Sequence, residues 1–189
     1  MPLSLPIEPE ATKLLHDSPL ALLFGMLLDQ QQSMEKAFTG PYVLKQRLGR
    51  DLDARELAAF DPAELETVFA TPPAIHRFPR AFAKRTQEMC QLIVDRYDGD
   101  AAKLWTEAKD GRDAVRRIGQ LPGFGKQKSQ IFVALLAKQF GIQPEGWREA
   151  TGAYGEEGSL RSVADITDEG SLAKVREYKK AMKAAAKPS

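Results

Sequence analysis

Cysteine is nearly missing from this chain. Cys90 stands alone, with only His16 and His76 beside it as further soft ligands. One thiol closes no internal disulfide, and one cysteine with two histidines cannot make a structural zinc site or ligate an iron–sulfur cluster. Neither is expected. A membrane-length apolar run is also missing: the longest, LALLFGMLL from Leu20 to Leu28, is well short of the roughly 20 residues that cross a bilayer. It reads as a buried helix, and no membrane partner is expected. The opening MPLSLPIEPEATKLL lacks the basic and apolar regions of a secretory leader, so the expected location is the cytoplasm. Net charge is +1, from 27 Lys and Arg against 26 Asp and Glu, which by itself points neither toward nor away from nucleic acid.

Convincing strand alternation is absent as well, and helical period takes its place. Ser18–Pro19 opens SPLALLFGMLLDQQQSMEKAF as N-cap and first helical residue, and Asp61–Pro62 opens DPAELETVFA in the same way. PRAFAKRTQEMCQLIVDRY repeats Phe82, Met89, Leu92, Ile93 and Tyr97 on one face and stops at YDGD; QIFVALLAKQFG does likewise and stops at Gly141. Asp100 and Asp113 lie near the starts of two short helices. GSLAKVREYKKAMKAAA reads as a basic amphipathic helix with Leu172, Val175, Tyr178 and Met182 inward, and the Gly- and Glu-rich stretch before it as an irregular connection. The expected fold is all-α, a single unit over residues 1–189, and a monomer. Positive side chains gather at Arg77–Arg85, at Arg112–Lys128 and at Lys174–Lys183, while acidic ones gather at Asp51–Glu66 and Glu145–Glu169. Such segregation builds a basic face on a neutral protein or simply solvates helices.

The most specific phrase is LPGFGKQK, Leu121–Lys128. Gly123 and Gly125 permit a tight turn and close approach, and the helix after them starts with free N–H groups at the positive end of its dipole, which suits a phosphodiester. Lys126 and Lys128 add positive charge. An ordinary helical hairpin would use the same glycines as stop and turn. Hydrophobic-Pro-Gly-hydrophobic-Gly after an amphipathic helix, with Ser129 four positions on, resembles the helix-hairpin-helix of the HhH-GPD superfamily, the endonuclease III-like DNA glycosylases of base-excision repair. GMLLDQQQSMEKAF resembles that family's buried helix and glutamine turn, so the resemblance spans residues 18–147, with the hairpin at about 112–140; the connection and basic helix at 148–189 fall outside it.

The resemblance implies a two-lobed helical fold, damaged duplex DNA as partner, and nucleoid association in a bacterial cell. It implies DNA contacts at Gln30, Gln31, Gly123, Phe124, Gly125, Lys126 and Lys128, and a monovalent cation on the backbone carbonyls of Gln120, Leu121 and Phe124; no other cofactor follows from it. The family's Schiff-base lysine falls at Gln127 and its aspartate at Glu145, so both positions depart from the pattern. Gln127 is no nucleophile, which leaves a monofunctional N-glycosylase using the Glu145 carboxylate, with Lys128 as an alternative amine and Asp29 and Asp165 as further carboxylates. Trp147 is the expected base-stacking residue. The His76–Arg85 segment is a further candidate for phosphate contact. A non-catalytic DNA-binding relative and a helical protein adaptor are the competing expectations.

Overall fold

The computed structural model describes residues 3–187; the two residues at each end of the 1–189 unit lie outside the described residues. These residues form an all-α fold: α1 Pro9–Asp17, α2 Pro19–Leu28, α3 Met34–Leu48, α4 Ala54–Ala59, α5 Pro62–Ala70, α6 Pro79–Tyr97, α7 Lys103–Thr106, α8 Gly111–Ile118, α9 Lys126–Phe140, α10 Trp147–Thr151 and α11 Glu169–Ala186. Two 3-10 turns, Gly152–Gly155 and Val163–Asp165, complete it.

Local chemistry accounts for most helix starts. Side chains of Ser18, Ser33, Asp53, Asp61, Asp110 and Asp168 each accept from an amide in the first turn of the helix that follows, so the orphan donors of those turns are satisfied. α2 is buried along its whole length from Leu20 to Leu28 and serves as the central rod. The helical run expected through Ser18–Phe38 is broken after it: Asp29 ends α2, Gln31 takes φ 60°, and Ser33 starts α3. The expected irregular connection instead contains α10, because Trp147 is buried and drags a turn of chain onto the core.

Helices α1–α6 pack among themselves, and α7–α11 form a second group. One continuous apolar core joins the two. Leu27 of α2 lies under the turn between α8 and α9, and His16 of α1 stacks on Phe140 at the end of α9, ring centres 5.5 Å apart. α11 differs from its expected pattern. Leu172 and Val175 are buried and Tyr178 half-buried, but Met182 is 52% exposed, because the helix outruns the body it packs on.

Candidate nucleic-acid interface

The hairpin α8–turn–α9 is pinned by two apolar side chains. Leu121 and Phe124 are buried, and Phe124 meets Phe132 of α9 edge to face at 6.4 Å between centres. The Phe124 ring is therefore an anchor for the turn and is not free to meet DNA, as its position in the motif had implied. The Ser129 hydroxyl donates to the Gly125 carbonyl at 2.7 Å and secures the first turn of α9. Gly123 has φ 81°, and a Cβ there would lie 2.8 Å from Leu27 Cδ1. Both the left-handed backbone and the seat on α2 thus require glycine at 123.

Gly125 is different. Its φ of −83° suits any residue, and a Cβ built on it meets nothing within 4 Å. Nothing inside the protein calls for glycine there. The space is open to solvent, directly before the amides of Lys126, Gln127 and Lys128. Among the described residues no carbonyl or side chain accepts from those amides, and α9 has no side-chain cap. Lys126 and Gln127 are exposed beside them. Of the three carbonyls proposed for a cation, Leu121 accepts from the Phe124 amide at 3.0 Å, whereas Gln120 and Phe124 have no partner among the described residues.

The hairpin leans on the C-terminal end of α2. Side chains of a helix's first turn point back toward its N-terminus, and Lys128 extends that way to donate from Nζ to the Met26 carbonyl at 2.9 Å. It supplies a cation to the negative end of α2, which has no basic residue of its own in its last turn. Burial drives the Lys128 ammonium down to about 8, a shift that the nearby Asp29 charge opposes. Burial likewise raises the Asp29 carboxyl, against the pull of Lys179 and Lys128. The point where the two helix ends meet, the mouth of the hairpin, therefore carries an amine and a carboxyl, each shifted toward neutrality.

Next to it is the glutamine turn. Gln31 is exposed with φ 60°, a conformation costing a non-glycine residue roughly 1–2 kcal/mol. The Gln32 side chain folds back to donate to the Leu28 carbonyl at 3.0 Å. Gln30 is held twice: its side-chain oxygen accepts from Arg85 at 3.2 Å, and its carbonyl pairs with His76 Nε2 at 2.7 Å. His76 Nδ1 accepts from the Phe78 amide at 3.0 Å, so Nε2 carries the proton and donates to Gln30. Burial lowers the His76 pKa and keeps the ring neutral. Phe78 itself is 43% exposed, with the Arg77 guanidinium 5.1 Å from its ring centre. Sequence reading missed this residue, although an aromatic between Arg77 and Pro79 at the start of a helix was a visible signal.

The structure does not bring Glu145 to Gln127. The Glu145 carbonyl accepts from Gly111 at 2.7 Å, at the start of α8, and the eight residues of that helix put about 12 Å of axis between this contact and the turn. Its side chain is exposed. The Gln127 side-chain amide Nε2 donates to the Tyr154 hydroxyl at 2.7 Å. Counting along the chain misplaces Glu145 because α9 carries the backbone from the turn to Phe140, and the few residues after Phe140 stop at the start of α8 without returning to the turn. Trp147 is buried in the core with Arg148 over its ring at 4.6 Å, so it offers structure where a base-stacking face was expected. Asp165 pairs with Lys138 at 2.6 Å, its side chain 3% exposed, and fastens the second 3-10 turn to α9.

No family model and no curated protein sequence matches this chain. Among solved structures it is similar to a trapped endonuclease III–DNA covalent intermediate, an estranged-adenine complex, with 20% identity over 70% of this chain and a TM-score of 0.46. The chain spans 56% of that protein's length.

Proposed function

We propose that this protein grips duplex DNA with the α8–α9 hairpin and hydrolyses the N-glycosidic bond of a damaged base turned out of the duplex toward the mouth, where the ends of α2 and α9 meet. The observation that carries the proposal is Gly125: a glycine with no internal reason to be glycine, facing solvent ahead of three unpartnered amides. A phosphate oxygen is the partner such amides suit, and a Cβ would stand in its way. Lys126 adds charge from outside. Gln31 and Phe78, exposed on a turn that His76 ties together, are placed to enter a duplex and to stack on an unpaired base.

In this reading Asp29 takes the role expected of Glu145. Its carboxylate stabilises positive charge developing on the deoxyribose and orients the water that adds to C1′ as the base departs with the bonding pair and takes up a proton. Lys128 favours a second reading. With a pKa near 8, about a tenth of its amine is unprotonated at pH 7, and a desolvated lysine is a competent nucleophile. Its amine would displace the base, which leaves with the bonding pair and takes up a proton, and cleavage of the C1′–O4′ bond with a proton passing to O4′ would then leave an imine at C1′ of the opened sugar. A panel of duplexes, each with one alkylated, deaminated or oxidised base, tests both. Excision that disappears in Asp29→Asn and persists in Glu145→Gln supports hydrolysis at Asp29, whereas a borohydride-trapped protein–DNA adduct lost in Lys128→Gln moves the chemistry to Lys128. Salt-sensitive binding without excision anywhere on the panel leaves a DNA-binding module.

A further inference from the structure

One strongly charged surface is left over by the hairpin and the mouth. Beyond Val175, α11 projects from the body, and every described residue from Arg176 onward except Tyr178 is exposed. Arg176, Lys179, Lys180 and Lys183 follow one another at i, i+3, i+4 and i+7, the spacing that puts four side chains on one side of a helix. The direction of that side is fixed: Arg176 Nη2 donates to both carboxylate oxygens of Glu35, at 2.5 and 2.6 Å, in the first turn of α3. The face therefore looks toward the glutamine turn and the mouth, and the charge of Lys179 is felt by both Asp29 and Lys128.

Among the described residues Glu35 pairs with Arg176 alone. Among the described residues no carboxylate lies within 4 Å of Lys179, Lys180 or Lys183. Three unanswered ammonium groups on a projecting helix call for a polyanion. A protein partner would want an apolar or aromatic centre to its interface, and α11 exposes only one large apolar side chain, Met182. Lys179 to Lys183 covers about 6 Å of helix axis, close to the rise of two phosphates on one strand at about 3.4 Å each.

We infer that the Lys179–Lys180–Lys183 face of α11 is a second binding surface for the duplex phosphate backbone, running beside the glutamine turn and acting in addition to the hairpin amides. It rests on the DNA-binding reading above. The arm adds affinity without reading sequence, and its tie through Arg176 and Glu35 holds it beside the mouth.

The test is anisotropy titration of a labelled, undamaged 20-base-pair duplex at a series of salt concentrations, comparing wild type with Lys179→Gln/Lys180→Gln/Lys183→Gln and with the triple Lys→Arg variant. Loss of three phosphate contacts is expected to flatten the salt slope by about 2 to 3 and to weaken binding on the order of a hundredfold near 0.15 M salt; arginine keeps the slope. An unchanged slope and affinity in the glutamine variant, with wild type binding normally, overturns the inference and leaves the hairpin reading standing. Tighter binding by the glutamine variant also overturns it and makes the arm an obstacle. If wild type binds duplex with no dependence on salt, or does not bind, the DNA-binding reading falls and takes this one with it.

Discussion

Gly125→Asp separates a site for DNA from an ordinary turn, because both readings allow a gain in stability and only the first predicts weaker binding. The backbone at 125 is extended, φ −83° and ψ −176°, which an aspartate N-cap adopts without strain, and its Cβ meets no atom within 4 Å. The new carboxylate would accept from the free amides of Gln127 or Lys128, for a gain of a few tenths of a kcal/mol over glycine. Its charge at the positive helix end adds about 0.3–1 kcal/mol, and the stiffer unfolded chain about 0.4–1. Summed conservatively this is about 1 kcal/mol, a rise of roughly 2–4 °C in Tm for a chain of this size. Duplex binding should fall by about 2 kcal/mol, some 30-fold, since a charge-assisted contact is lost and a like charge replaces it. Differential scanning calorimetry and anisotropy titration read the two quantities on one preparation. A variant that is more stable and binds equally well refutes the phosphate site; one that is less stable refutes the description of the turn.

Gln31→Gly should stabilise the fold by about 1 kcal/mol, because glycine occupies φ 60° freely, while lowering excision of a mispaired or damaged base; a loss of stability would mean that the Gln31 side chain holds the turn. Phe78→Ala should leave Tm within about 1 °C, given its exposure, and weaken binding to a duplex with an abasic gap by about 1–3 kcal/mol if the ring stacks there. His76 is buried neutral with a lowered pKa, so the unfolded chain binds the proton first. Stability is then full above about pH 6.5 and falls as pH drops below it, by at most about 1.4 kcal/mol per pH unit. Because His76 holds Gln30, hydrogen exchange at Gln30–Gln32 should quicken over the same window; a His76→Gln variant with the same pH profile would exclude this histidine as the cause.

The elements were legible where caps and period coincide. Ser18–Pro19 and Asp61–Pro62 start helices as written, and the glycine turn lies between two helices as its composition implies. The site was legible only as a phrase. Gly123 and Gly125 look alike in sequence and both are exposed, yet a Cβ at Gly123 would meet Leu27 whereas one at Gly125 would meet open space, a distinction made by a residue almost a hundred positions away. The closeness of Asp29 and Lys128, near enough for each to feel the other's charge, has the same origin: it depends on how α9 docks on α2, which no local pattern encodes. Glu145 went astray because spacing along a chain does not give direction in the fold: α9 runs away from the turn, and the short segment after Phe140 is held at the start of α8 by the Gly111 amide.

That docking makes the mouth unstable by design, and Lys128 measures the cost. An amine whose pKa lies near 8 in the fold and 10.5 in the unfolded chain opposes folding by on the order of 3 kcal/mol when charged. Below pH 8 both states carry the proton and the penalty is complete. Between pH 8 and 10.5 the folded state gives up its proton first, so stability should rise with pH until the unfolded chain also deprotonates. Lys128→Met fills similar space with no charge to desolvate. Its urea unfolding midpoint should match or exceed that of wild type at pH 7, and the advantage should shrink toward pH 10 as the wild-type amine becomes neutral. An advantage that stays constant across that range would mean the ammonium is well solvated, and Lys128 would then be one more phosphate ligand beside Lys126. If the advantage shrinks as expected, a protein that keeps this lysine gives up stability for a reactive or binding group between α2 and α9, where a flipped nucleotide would lie.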